Sequence, residues 1–144
     1  MKGDPLPAEH HVARHCRSTD LILTSGEPTG VSGSAFAPKP DESDSLSANW
    51  LEFFGGDRQH NVAGVRSVTK LAARRSHRIA ILNVGAIAAA FPSANLSAVE
   101  DPIDDLAPYT NAAHVLIKGN TGLNDQAVQD ALAFLVLPTD LETY

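Results

Sequence analysis

Apolar residues in this chain come only in short runs, and that limits what it can build. The longest, residues 84–91 (VGAIAAAF), has eight residues, far short of the ~20 that a membrane-spanning helix needs. Short runs make strands and one-sided helices, each of which must bury a face against a neighbour. Hydrophobic residues make up 43% of the 144 and charged residues 19%, which suits a chain with a core and one domain's length, residues 1–144. At this size roughly two-thirds of the unfolded surface can be buried, so folding requires neither a disulfide nor a structural metal. The lone Cys16 excludes an internal disulfide. The opening residues, Met1-Lys2-Gly3-Asp4-Pro5, lack the apolar segment of a signal peptide, and the expected location is cytoplasmic.

Periodicity supplies the elements. Residues 79–84 (IAILNV), ended by Gly85, read as a buried strand, and residues 114–118 (HVLIK) as a second. Leu46, Trp50, Phe53 and Phe54 recur at helical spacing, which predicts a helix capped by Ser45 and ended by Gly55-Gly56. Val62, Val65, Val68, Leu71 and Ala72 form a second helical face, opposite Arg66, Lys70 and Arg74. Asn124 caps a third helix that runs to Val136. Residues 24–32, 37–45 and 92–108 read as connections. The expected class is α+β, a small sheet of a few short strands packed with about three helices, with α/β as the alternative.

Residues 8–16 (AEHHVARHC) fit a helix or a strand, and the difference is chemical. On a helix, His11 and His15 stand at i and i+4 and can share a metal. On a strand at about 3.3 Å per residue they are ~13 Å apart and cannot. His60, His77 and His114 are the free candidates for further ligands, but no H-E-x-x-H or C-x-x-C spacing accompanies them. No metal or other cofactor is expected.

The net charge of -6 hides an asymmetry. Residues 1–78 sum to +1 and residues 79–144 to -7. Residues 58–78 carry six basic side chains and no acid, and an acidic run follows at Glu100, Asp101, Asp104 and Asp105. The two patches are expected to face each other, within the fold or across a dimer. Arg66, Lys70 and Arg74 could instead meet phosphates, though without the aromatics of a single-strand binder or helix-turn-helix spacing. Nucleotide binding through a P-loop or Rossmann turn is disfavoured, since neither glycine pattern occurs. Ser34 lacks a G-x-S-x-G setting, so it reads as close packing before it reads as a nucleophile. Cys16 reads as a small buried hydrophobe before a thiol nucleophile.

Leu6-Pro7, His11 and Arg14, then Ser34-Ala35-Phe36, then Leu46-Ser47-x-Asn49-Trp50-Leu51-Glu52 form a pattern that resembles a small family of uncharacterised bacterial proteins. The likeness covers mainly residues 6–56. It implies a cytoplasmic bacterial protein, in some cases carried on mobile elements, and brings no known activity. Within the pattern, His11, Arg14, Ser34 and Asn49 are the polar members that packing explains least, and they are the candidates for a shared cleft.

Two functions follow as expectations. The first is an interaction or accessory protein without chemistry of its own, self-associating into a homo-oligomer that salt weakens, with room for a protein partner. The alternative is a small enzyme acting on a phosphorylated or nucleotide substrate through His11, Arg14, Ser34 and Asn49. Nucleic-acid binding through the basic helix is a weaker third, and no membrane partner is expected.

Overall fold

Residues 11–16 form a strand, β1 (His11–Cys16), because alternation puts Val12, Arg14 and Cys16 on one face and Ala13 and His15 on the other. The computed structural model describes the chain except for residues 41, 43, 70–73, 107, 108 and 121. After β1 come β2 (Leu21–Thr24), β3 (Glu27–Val31), β4 (Leu46–Trp50), α1 (Arg58–Val68), β5 (Arg78–Asn83) and α2 (Val84–Ala90). The rest of the chain forms β6 (Ser97–Glu100), β7 (Ile103–Leu106), β8 (Tyr109–Asn111), β9 (His114–Lys118), α3 (Gln126–Phe134) and β10 (Leu141–Thr143). Six strands make one antiparallel sheet in the order β10-β5-β1-β4-β9-β6, and two hairpins, β2-β3 and β7-β8, stand outside it. The fold is α+β. Among the described residues no helix is long and apolar enough to cross a membrane.

Each sheet face has its own core. On one, Val12, Cys16, Leu46, Ala48, Leu82, Val115 and Ile117 pack with Phe36, with Ile87 of α2 and with Val128 and Leu132 of α3. On the other, Ala13, Ile79 and Ile81 pack under Val62 and Val65 of α1. Asp57 caps α1 by accepting the His60 amide at 2.9 Å, and the helix ends at Val68.

Several sequence expectations change here. Residues 46–54 are not a helix but β4 followed by a 3-10 turn, Leu51–Phe54, closed by Gly55 at φ 72°. The reason is that i and i+4 share a face in both periods. Leu46 and Trp50 match a helix, but Ala48 lies between them on the same strand face, and pairing to β1 and β9 favours the strand. Residues 24–32 contain a hairpin, turned by Ser25 at φ 52° and Gly26 at φ 82°. Residues 92–108 contain β6 and β7. Asp125, not Asn124, caps α3 by accepting the Ala127 amide at 2.8 Å. The expected extension of α1 through Leu71 and Ala72 falls outside the described residues.

Candidate functional site

The site begins where a ladder splits. β1 and β4 pair only at Val12 with Trp50 and Ala13 with Asn49. Continued pairing would use the Ser47 amide and carbonyl, which alternate to the β1 side of β4. Side chains take them instead. The Ser47 N–H donates to Glu42 Oε2 at 2.6 Å, and its carbonyl accepts from Arg14 Nη1 at 2.8 Å. Arg14 also grips Glu42 through Nη1 (2.6 Å) and Nη2 (3.2 Å), and its Nε donates to the Ala35 carbonyl at 3.0 Å. The Lys39 amide donates to Glu42 Oε1 at 2.8 Å. Both charged side chains are buried, 3% and 5% exposed. Burial pushes the Glu42 carboxyl up, but the Arg14 hydrogen bond and charge, with the Ser47 and Lys39 amides, hold it below the usual range.

Beside this pair lies a groove of about 320 Å³ on the sheet face that α1 covers in part. Arg14, Lys39, Glu42, Ser47, Asn49 and His114 are among its polar lining residues, with the Glu42 carboxylate engaged by Arg14, and Ala13, Val65, Ile79 and Ile103 are among the apolar ones. Hydrogen-bond direction passes along one wall as a relay. The Ala113 amide donates to Asn111 Oδ1 at 3.0 Å, which leaves Asn111 Nδ2 to donate to Asn49 Oδ1 at 2.7 Å. Asn49 is therefore left with its N–H₂ as the end available to the groove. Lys39 is half-buried there, and burial, reinforced by the Arg14 charge, holds its ammonium below the usual lysine range.

Two histidines complete the lining. His114 stands directly opposite Asn49 across the β4-β9 ladder. Because the Trp50 amide donates to the Ala113 carbonyl at 2.8 Å, Asn49 and His114 are a non-hydrogen-bonded pair, the kind whose side chains lie closest. His114 Nδ1 is 3.0 Å from the Asp101 carbonyl and 3.1 Å from Asp101 Oδ2. His15 Nδ1 meets the Tyr144 hydroxyl, and its ring packs edge-on against His77 at 5.0 Å. Burial and the neighbouring His77 push His15 down to about 4, and burial pushes the Tyr144 hydroxyl up to about 12. The phenol therefore keeps its proton beside a neutral imidazole.

Of the four residues expected to share a cleft, Arg14 and Asn49 line this groove and His11 and Ser34 do not. Glu52 holds His11, accepting its amide at 2.7 Å and lying 2.7 Å from its Nδ1. The Ser34 hydroxyl donates to the buried Asp20 at 2.9 Å. Since β1 is a strand, His11 and His15 are ~13 Å apart and cannot share an ion. Among the described residues no three His, Cys, Asp or Glu side chains are grouped to hold a metal.

The basic helix is tied to the end of the chain. Arg58 donates to Glu142 and to the Thr139 carbonyl, each at 2.8 Å, and Arg66 to the Thr143 carbonyl at 2.8 Å. Arg74 is exposed beyond the end of α1, and Lys70 lies outside the described residues. Glu100 binds the amino terminus at 3.0 Å and Asp101 lies 3.5 Å from Lys2. The basic and acidic stretches thus hold the two ends of the chain to the sheet, through different partners.

Cys16 is fully buried, and burial pushes its thiol up to about 12. The native protein should resist an aromatic disulfide reagent at pH 8 and react at once when unfolded in urea. Labelling of the folded protein at the rate of a free thiol would contradict that burial.

Sequence reasoning missed Lys39, Glu42, Asn111 and Tyr144 as site residues, and met His114 only as a spare ligand. No motif links them. They are 105 positions apart at the extremes, and only the tertiary fold brings them together. No protein-family model, curated protein or solved structure matches the chain.

Proposed function

We propose that the protein binds a small anionic molecule in the groove beside α1. The observation that carries this is the Asn49 amide, whose Oδ1 is taken by Asn111 so that its N–H₂ is the end left for a ligand, in a groove that Lys39 also lines. Fixed donors and a desolvated cation favour an oxyanion over a neutral or cationic ligand. A volume near 320 Å³ suits a metabolite rather than a polymer.

Inorganic phosphate titrated into the ¹⁵N-labelled protein should move the Asn49 side-chain amide signals. Lys39→Met should weaken binding by about tenfold or more, the scale of one lost charge-assisted contact. An unmoved Asn49 signal up to about 10 mM phosphate, where even weak sites fill, would end this reading.

Self-association is a second reading, favoured by one patch. Phe134 is 88% exposed, Leu137 58% and Ile22 50%. Phe134 and Ile22 border a shallow hollow lined by Val31, Ala133 and Val136. A protruding ring beside an apolar hollow is what a two-fold dimer requires of each copy. A contact of this kind resists salt, unlike one between charged patches. Sedimentation at rising concentration should show a dimer that Phe134→Asp abolishes, and a wild-type monomer at every concentration would remove it.

A further inference from the structure

The His114 ring nitrogens are not equivalent. Both partners of Nδ1, the Asp101 carbonyl and the Asp101 carboxylate, can only accept. Nδ1 must therefore carry the proton, and in the neutral ring the lone pair sits on Nε2. The backbone carbonyl alone would hold this tautomer, and the carboxylate adds to it. His114 lines the groove with its side chain 12% exposed and faces Asn49 across the ladder. The wall thus offers an ammonium, an amide N–H₂ and, beside that amide, an imidazole acceptor.

A bare oxyanion has nothing to give the acceptor. Sulfate or acetate bound at Asn49 and Lys39 would leave Nε2 dehydrated and facing lone pairs. An anion that also carries a hydroxyl would satisfy all three groups at once. We propose that the groove selects small hydroxylated anions, either a hydroxy acid or hydrogen phosphate, with His114 Nε2 as the acceptor of the ligand's O–H. This rests on the anion-binding reading above and narrows it to a ligand class.

Two matched pairs at pH 8 provide the test: hydrogen phosphate against sulfate, and glycolate against acetate, each titrated while the Asn49 amide signals are followed. In each pair the hydroxylated member should bind about tenfold or more tightly, as expected when a site built for a hydroxyl meets an analogue without one. If only the phosphate pair separates, the ligand is the inorganic ion, and if only the glycolate pair does, it is a hydroxy acid. His114→Phe should remove the preference, bringing the two members of each pair to within about twofold of one another, a difference of only ~0.4 kcal/mol.

Imidazole ¹⁵N shifts of the wild-type protein report the tautomer without any substitution, which keeps the proposal testable if His114→Phe does not fold. An Nε2-protonated ring would overturn it. Equal affinities within both pairs would overturn it too, and anion binding would stand. If none of the four anions moved Asn49, the underlying reading would fail and this one with it.

Discussion

Glu42→Ala should lower folding stability by about 3–5 kcal/mol, the scale for removing one partner of a buried ion pair. A domain of this kind has only about 5–15 kcal/mol in total. The loss comes from what Glu42 leaves behind: a buried Arg14 guanidinium without a counter-charge and the Ser47 and Lys39 amides without acceptors. Replacing both residues, Arg14→Met with Glu42→Leu, should cost less than Glu42→Ala alone, because no charge is then stranded. Urea denaturation of the three proteins measures this. A double variant less stable than the single one would show that Arg14 acts mainly through its bonds to the Ala35 and Ser47 carbonyls.

The same carboxylate ties stability to pH. Its folded value lies below the unfolded 4.5. Its contribution is therefore complete above pH 4.5 and disappears as the pH falls through the lower folded value. Glu42→Gln should be less stable than wild type at neutral pH, and the gap should narrow on acidification below pH 4.5.

Phe36→Ala should cost about 3–5 kcal/mol, the range for emptying a buried aromatic site. Phe36 is 0% exposed and closes the 3-10 turn Gly33–Phe36, which packs against α3 in the main core. The turn also supplies the Ala35 carbonyl to Arg14, so this cavity loosens a support of the ion pair. The denaturation midpoint should drop with little change in slope. Phe53→Ala is the comparison, since Phe53 is 45% exposed and its loss should cost much less. Equal losses at the two positions would mean that the turn does not anchor α3.

Much of the fold was legible where one period dominated. Residues 79–82 are apolar without a break, as a short strand buried on both faces is, and β5 lies between β1 and β10. Val128 and Leu132 one turn apart placed α3, and its first residue was missed by one because Asn124 and Asp125 are both good caps. Residues 46–54 were misread because Leu46 and Trp50 satisfy two periods at once, and the neighbours that decide between them, β1 and β9, are distant in the chain.

The site was legible only in fragments. Arg14 and Asn49 stood out as polar residues in apolar surroundings, and both line the groove. His11 and Ser34 stood out for the same reason, yet Glu52 and Asp20 hold them elsewhere. A polar residue's partner is a property of the tertiary fold, not of its immediate neighbours in the chain.

The sequence by itself determined the class of the fold, the main apolar segments and the absence of a disulfide, because these depend on residue type and short-range period. Only the tertiary structure decided that β1 and β4 would part after Ala13, that Arg14 and Glu42 would fill the gap, and that Lys39, Asn49 and His114 would share a wall. The physical reason is reach. Periodicity acts over a few residues, whereas a strand register joins positions 65 apart, as Asn49 and His114 are, and a shift of one residue would turn each side chain to the opposite face.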